Sequence, residues 1–305
     1  AYLDPVRSRP NLTIRATCPI AEVLLRRGRA IGVRSSDGEA IAADEVIVCA
    51  GAYHSPALLI RSGIGPAADV AALGRPVTMD LPGVGKNLAD HPWVAIDLPC
   101  LQPPGDPPLF QVMATARSSR RTAADPPDLQ LMVCGPYPLE DGYHSLLAAA
   151  LLKPASRGEA RLHTLDPDAA PAIDLAYFRN PVDIDRLVEG LQLADAAAAH
   201  PHLARITRGP RLAPRQDLVA DAVAVRAWIK ATATTYHHPV GTCAMGTDPR
   251  AGAVVDTSGR VYGVPGLSVV DASILPEPPS ANTNIPTIMV AEHIVTRRRG
   301  VEAGL

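Results

Sequence analysis

The sequence contains few cysteines and almost no net charge. Its five cysteines, Cys18, Cys49, Cys100, Cys134 and Cys243, are widely spaced and never form a Cys-x-x-Cys pair. This spacing predicts neither a disulfide framework nor a zinc site, and it favours the reducing cytoplasm as the compartment. The formal net charge is only −2, so we expect no electrostatic attraction to nucleic acid or to an anionic membrane.

The sequence also lacks a long apolar run and an apolar leader. No run approaches the roughly 18 residues that a membrane-spanning helix requires. The chain opens at Ala1 and continues into Asp4-Pro5 without the charged and apolar segments of a signal peptide. We therefore expect neither a membrane span nor a secretory signal here, and the start without methionine indicates a fragment or a trimmed chain.

The first part of the chain has the alternating pattern of an α/β protein. Short β-rich runs predict strands at 11–15, 22–25 and 30–34, and an apolar run at 45–49 predicts a buried strand. A helix is expected to follow, with Ser55 as its N-cap and Pro56 at its first position.

The middle of the chain has a different pattern. After a proline-rich loop at 98–108, alternating apolar runs predict an antiparallel sheet. Two helices should follow, one beginning at the Asn180-Pro181 cap and one over 217–232. The runs that predict this sheet lie at 109–116, 129–134, 145–152 and 160–164.

The last part returns to the first pattern, with a strand at 266–270 and a terminal helix over 286–296. The whole is predicted to be mixed α/β. Residues 1–92 and 233–305 would build one domain, and residues 93–232 would form an antiparallel substrate domain inserted into it. The runs at 109–116 and 129–134 are expected to form walls of the substrate pocket.

Two glycine-containing segments carry possible binding signals. Residues 51–65 predict a glycine turn, a short helix and a glycine stop, so a helix N-terminus could bind an anion there. An ordinary βα connection is the alternative interpretation. The Gly83-x-Gly85 pair does not indicate a dinucleotide site, because no apolar strand precedes it and Leu88 occupies the place of a third glycine. We interpret residues 81–92 as a rigid loop.

A histidine pair stands before a proline at His237-His238-Pro239, directly after Tyr236. The proline disfavours helix, so an extended chain is expected, with the two histidines on opposite sides. Imidazole titrates near neutral pH, so one of them is a candidate general base, and a structural histidine is the alternative. A metal site is less favoured because the ligand spacing is absent. Its candidate ligands would be His237, His238, Cys243 and Met245.

A further polar segment, 282–287, follows the strand that ends at Asp271-Ala272. Its Asn-Thr-Asn turn leads into a helix that starts at Pro286, with Asn284 as the expected N-cap. Such a helix N-terminus favours a negative charge, for example a reduced flavin or a pyrophosphate. A capped helix without a ligand is the alternative interpretation.

These segments together resemble the glucose–methanol–choline (GMC) family of flavin oxidoreductases. Residues 51–65 resemble the family's second signature, and residues 80–91 match its DLPGVGxNLxDH loop. Residues 238–246 match the stretch with its catalytic histidine, and residues 270–287 match its C-terminal motif. The resemblance runs to about residue 298. It implies a partial FAD-binding, Rossmann-like domain with the inserted sheet domain described above.

The resemblance assigns His238 as the catalytic base and Asn282 as the second active-site residue, which is His or Asn among members. Tyr236 and His237 would support them. Residues expected to contact FAD are Ile20, Asp271, Ala272, Asn284, Ile285, Pro286 and Thr287. The expected reaction removes the hydroxyl proton of a small-molecule alcohol at His238 while hydride passes to the flavin N5, with no metal involved. Asn282 would hold the substrate oxygen.

The sequence departs from the family in one respect. Members that resemble it begin with a strand, a Gly-x-Gly-x-x-Gly turn and an acidic residue for the ribose, and these motifs are not in this sequence. The expectation is a C-terminal portion, with an N-terminal FAD-binding half as the missing partner. A fragment that needs a partner, and a flavin lyase of the same fold, are the alternative functions.

Overall fold

The computed structural model describes residues 2–103, 105, 108–298 and 300. The predicted loop at 98–108 lies partly outside these ranges. Within them, no helix is long and apolar enough to cross a membrane.

The first part of the chain forms a small antiparallel sheet followed by βα units. The strands predicted at 22–25 and 30–34 are confirmed and are longer than expected. The strand predicted at 11–15 is wrong, because this mostly exposed segment has no strand partner among the described residues. The elements are β1 (Ile20–Arg26), β2 (Arg29–Ser35), β3 (Ala40–Ala42), β4 (Val46–Val48), α1 (Gly51–Arg61), β5 (Ile64–Gly65), α2 (Ala67–Ala72) and β6 (Met79–Asp80).

Helix α1 begins at Gly51, so the prediction of Ser55 as its N-cap is wrong. The Ser55 hydroxyl instead accepts from the Ala50 N–H at 3.0 Å. Pro56 therefore lies inside the helix, where it has no N–H to donate to the carbonyl of Ala52. The hydroxyl of Thr242 donates to that carbonyl at 2.6 Å and satisfies it. This contact joins α1 to the segment that contains His238.

The middle of the chain forms the predicted antiparallel sheet. Its strand order is β13 (Thr234–Thr235), β7 (Pro92–Cys100), β10 (Gly142–Leu151), β9 (Leu129–Leu139) and β8 (Phe110–Ala116). A loop was predicted to begin at residue 98. Strand β7 instead continues to Cys100, because its alternate residues are buried. The run at 160–164 forms only a short strand, which pairs outside the main sheet. The strands are β7 (Pro92–Cys100), β8 (Phe110–Ala116), β9 (Leu129–Leu139), β10 (Gly142–Leu151), β11 (Glu159–Arg161) and β12 (Ala172–Asp174).

The helices of the middle part are α3 (Pro181–Ala198), α4 (Pro201–Ala204), α5 (Gln216–Ala220) and α6 (Ala222–Thr232). The predicted cap of α3 is confirmed, because the Asn180 side chain accepts from the Val182 N–H at 3.1 Å. The single helix predicted over 217–232 is wrong. Asp221 interrupts it and caps α6, with its carboxylate accepting from the N–H groups of Val223 and Ala224.

The last part contains β13 (Thr234–Thr235), β14 (Leu267–Val269) and α7 (Asn284–Arg298). β14 pairs in parallel with β4, so the two ends of the chain share one layer. Helix α7 starts two residues earlier than predicted. Asn284 is therefore its first residue and not its N-cap.

Two clusters of buried apolar residues hold these elements. The first joins residues 23–84 to residues 243–294, and the second joins one face of the main sheet to α3 and α6. The opposite face of the sheet contacts Tyr236, and we call it the site face. Its residues are Trp93 and Ala95 on β7, Met132 and Cys134 on β9, and Leu146 and Ala148 on β10.

Candidate active site

His238 lies at the centre of a buried polar cluster. Its Nε2 atom is 3.3 Å from the Asn282 side-chain nitrogen, and its Nδ1 atom is 3.0 Å from the Nδ1 atom of His91. The two imidazole rings meet edge to face. The ring of Tyr236 lies against His238, with centroids 4.3 Å apart. The two residues predicted as catalytic are therefore in contact.

Asp90 holds both histidines through their backbones. One oxygen, Oδ1, accepts from the N–H of His238 at 2.8 Å and from the N–H of His91 at 2.9 Å. The other oxygen accepts from the hydroxyls of Tyr177 and Thr235. Asp90 is buried, and its carboxylate accepts hydrogen bonds from four donors of the chain in place of water. It therefore sets the spacing of the two imidazoles.

The electrostatics of the cluster keep its imidazoles neutral. Burial lowers the pKa of His238, and the Asp90 charge only partly opposes this. Burial, and then the neighbouring His238, lower the pKa of His91 to about 3. The amide nitrogen of Asn282 faces His238 Nε2, so that atom accepts, and Nδ1–H must donate to His91. His238 thus carries its lone pair on the Asn282 side, as a base requires.

His237 is exposed, so only one of the paired histidines faces the site. Its backbone has a φ of +60°, which is left-handed and not the extended conformation predicted. The Thr235 hydroxyl holds this turn by accepting from the His237 N–H at 2.8 Å. The metal alternative gains no support. Cys243 is a buried thiol whose pKa is raised by burial, and the described residues include no metal-binding group of three or more ligands.

Tyr236 connects His238 to the site face. Its hydroxyl donates to the Met132 sulfur at 2.9 Å, and its ring lies against Trp93. Burial raises the pKa of Tyr236, so the phenol stays protonated. The Trp93 indole N–H donates to the Thr235 carbonyl at 3.0 Å. The site is therefore bounded on one side by the sheet.

Asp271, predicted to contact the flavin, uses its carboxylate within the chain. One oxygen accepts from the Gly51 N–H at 2.9 Å and from the Ser55 hydroxyl. The other accepts from the N–H and the hydroxyl of Ser273. Asp271 thus joins the start of α1 to the short 3-10 turn that Ala272 begins. Any contact of this turn with a ligand would come from its backbone.

Asn284, Ile285, Pro286 and Thr287 form the first turn of α7, close in sequence to Asn282. The side chain of Thr287 bonds back to the Thr283 carbonyl at 2.8 Å. Two apolar side chains of this helix face solvent, since Ile285 is 71% exposed and Met289 is 59% exposed. The turn therefore offers an apolar surface at the positive end of a helix dipole. Ile20 begins β1 and packs against the first core.

Comparison with known proteins decides the family. Two models described as GMC oxidoreductase match the sequence, one at residues 1–93 and one at residues 154–291. The chain belongs to the GMC oxidoreductase family. It is 38% identical over 319 residues to 5-(hydroxymethyl)furfural oxidase of Methylovorus sp. (strain MP688), with 96% of this chain and 58% of the relative covered.

A second relative is an oxygen-dependent choline dehydrogenase of Paraburkholderia phymatum. It is 35% identical, and the match covers 98% of this chain and 57% of the relative. The GMC chain thus spans little more than half the length of these two relatives.

Solved structures show the same fold. Pyridoxine 4-oxidase from Mesorbium loti superposes with a TM-score of 0.86 at 28% identity, covering 97% of this chain and 60% of that one. Formate oxidase from Aspergillus oryzae RIB40 has a TM-score of 0.85 at 22% identity, covering 97% and 62%. The mixed α/β fold expected from the resemblance is confirmed.

GMC oxidoreductases use FAD, and the relatives matched by this chain include an oxidase of 5-(hydroxymethyl)furfural and a choline dehydrogenase. The start of α7 has the chemistry that a flavin ring requires. Ile285 in its first turn and Met289 in the next are exposed apolar side chains that suit a flat apolar body, and the helix N-terminus suits the negative charge of the reduced ring. The first turn of α7 follows Asn282 closely in the sequence, and the Asn282 side chain faces the lone pair of His238 Nε2.

Asp90, His91 and Met132 are among the site residues that were not singled out from the sequence. The first two lie in the loop interpreted as merely rigid. One signal was present, because His91-Pro92 repeats the His-Pro pair of His238-Pro239. No local pattern marks Met132, which reaches the site only through the pairing of the sheet strands.

Proposed function

We propose that this chain provides the proton-accepting half of an FAD-dependent, alcohol-oxidising active site. His238 accepts the hydroxyl proton of a small-molecule alcohol at Nε2, and Asn282 donates to the substrate oxygen. Bound FAD would supply the hydride acceptor. The observation that carries the proposal is the neutral His238 whose Nε2 lone pair faces Asn282 at 3.3 Å. A base held in this way contributes about 10²–10⁴ in rate.

The test is His238→Ala in the FAD-loaded protein, with flavin reduction by alcohol followed anaerobically. Loss of the base should slow reduction by about 100-fold or more. His237→Ala is the matched control, because His237 is adjacent to His238 in the sequence but its side chain is exposed. A loss below tenfold for His238→Ala would contradict the proposal. Net reduction of the flavin by an alcohol also separates this function from that of a flavin lyase.

We propose further that another polypeptide segment, carrying a dinucleotide-binding βαβ unit, completes the FAD site. Three exposed apolar side chains support this. Ile285 and Met289 face solvent on α7, and Ile47 on β4 is 50% exposed. Among the described residues, β4 pairs only with β14, so its other edge is open to a further strand. Open edges and apolar patches of this kind are normally covered.

The two cores support the division proposed from the sequence, with residues 1–92 and 233–305 in one domain and 93–232 in the other. The five cysteines are free thiols, which agrees with the proposed reducing cytoplasm.

A further inference from the structure

His91 is a fully buried histidine that contacts the ring of His238 on the side away from Asn282. Its Nδ1 atom lies 3.0 Å from His238 Nδ1, and the two rings meet edge to face with centroids 5.1 Å apart. Two ring nitrogens at this distance form a hydrogen bond only when one carries a proton and the other a lone pair. The direction of this bond therefore decides the tautomer of His238.

The surroundings of His91 fix where its own proton lies. Burial, and then His238, lower the pKa of His91 to about 3, so the ring is neutral and carries a single proton. The backbone carbonyls of Leu152 and Pro279 oppose this lowering of the pKa, as acceptors close to the ring do. Carbonyl oxygens only accept and Nδ1 faces His238, so the proton lies on Nε2. The carbonyls act on Nε2 with imperfect geometry, since no hydrogen bond of ordinary geometry reaches it within the described ranges.

The tautomer of His91 determines that of His238. With its proton on Nε2, His91 presents a lone pair at Nδ1, and His238 must donate to it from Nδ1–H. A neutral imidazole has only one N–H, so Nε2 of His238 keeps its lone pair. The two backbone carbonyls therefore select the same tautomer as the Asn282 amide, which faces the other nitrogen of His238.

The other neighbours of His238 do not perform this role. Asp90 accepts from the backbone N–H of His238 and not from its ring. The Tyr236 ring lies against His238, but its hydroxyl donates to the Met132 sulfur. In the part of the chain that the structure describes, His91 is thus the side chain that bonds Nδ1 of His238.

We propose that His91 is a positioning residue that fixes the proton-accepting tautomer of His238. This inference rests on the function proposed above and specifies how its base is held. His91 accepts from His238 Nδ1–H both before and after the alcohol proton arrives at Nε2. The bond should strengthen once His238 is a cation, because charge-assisted hydrogen bonds are the stronger ones. His91 is itself too weak a base to take that proton, which therefore stays on His238 until it leaves from Nε2.

The first test needs neither turnover nor a substitution in the protein that is measured. In the FAD-loaded protein with isotopically labelled histidine, the ring-nitrogen chemical shifts report which nitrogen carries the proton. At mildly alkaline pH, His238 should carry it on Nδ1 and His91 on Nε2. Loss of one set of signals in His238→Ala and of the other in His91→Leu assigns them. A proton on Nε2 of His238 would overturn the proposal.

The second test compares two substitutions of His91 by anaerobic flavin reduction. His91→Leu removes the acceptor, so reduction should slow by about tenfold or more, the effect of one hydrogen bond, with KM within about twofold. His91→Asn keeps a carbonyl near the place of Nδ1 and should recover most of that loss. His163→Leu, at an exposed histidine, is the matched control. Equal rates in His91→Leu and His91→Asn would show that His91 acts only through packing.

The same measurements separate this proposal from the function on which it rests. If His238 has the expected tautomer and His91→Leu changes it, but no alcohol reduces the flavin, the proposed function fails and the control of the tautomer stands. If alcohols reduce the flavin through His238, but His91→Leu leaves the tautomer unchanged, the positioning role fails alone.

Discussion

At the scale of single residues, Asp90 is the side chain on which the histidine cluster depends. It accepts from the backbones of both His91 and His238, which are far apart in the sequence. It touches neither the reacting atoms nor Asn282 in this arrangement, so its role is one of positioning. Its negative charge also favours the protonated form of His238 and so partly offsets the effect of burial on the pKa.

Asp90→Asn should misplace His238 and change its pH dependence. The amide can no longer accept from all four donors, so flavin reduction should slow by about tenfold or more. In the native protein, the pKa of His238 is below its ordinary value of 6.5. The rate should therefore be constant at neutral pH and fall only as the pH drops through that lowered pKa.

Loss of the Asp90 charge should move the fall in rate to still lower pH. The measurement is a pH profile of anaerobic flavin reduction, with exposed Asp44→Asn as the control. A profile that moves to higher pH, or a rate equal to native, would show that Asp90 does not act on His238.

At the scale of elements, helix α1 depends on a contact from outside itself. Pro56 leaves the Ala52 carbonyl without its helical donor, and Thr242 replaces that donor. Thr242 lies four residues after His238, so the same segment satisfies the helix and carries the base. Asp271 holds the first residue of α1 in a similar way. The helix and the active-site segment are therefore expected to lose stability together.

Thr242→Val keeps the shape of the side chain but removes the hydroxyl. It should lower the free energy of unfolding by about 1–3 kcal/mol, because the buried Ala52 carbonyl loses its only side-chain donor. In a Pro56→Ala background the restored N–H at position 56 should reduce that cost. Denaturant unfolding of the two single variants and the double variant measures the coupling. Strictly additive effects would argue against this account.

At the scale of the whole molecule, apolar side chains on β4 and α7 are open to solvent, while the sheet bounds the site on the side of Tyr236. The exposed Ile47 lies on β4, which pairs with β14 from the other end of the chain, and the exposed Ile285 and Met289 lie on α7. The chain also spans only 58% of its furfural-oxidising relative. Both observations agree with the proposal that a further segment completes the FAD site.

The expected behaviour is weak binding of FAD by this chain alone and stoichiometric binding once a polypeptide with a dinucleotide-binding βαβ unit is added. Flavin absorbance after gel filtration measures both. Ile47→Lys should weaken the assembly without unfolding the chain, because the side chain is exposed. Val223→Lys, also on an exposed site, is the control. Stoichiometric, tightly held FAD in the chain alone would contradict the proposal.

The sequence alone determined the parts that depend on local patterns. Period-two alternation predicted the antiparallel sheet, Asn180-Pro181 predicted the start of α3, and the motif order indicated the family. His238 and Asn282 were assigned as the site by resemblance, and their roles stay predictions. Element ends were less certain, because propensity does not reveal that Asp221 divides a helix or that α1 begins at Gly51.

Only the tertiary structure decided how the base is held. His91 and His238 are 147 residues apart in the chain, and Asp90 and His238 are 148 apart. Thr242 and Ala52 are separated by 190 residues. Such contacts depend on which surfaces pack together, and no local propensity encodes them.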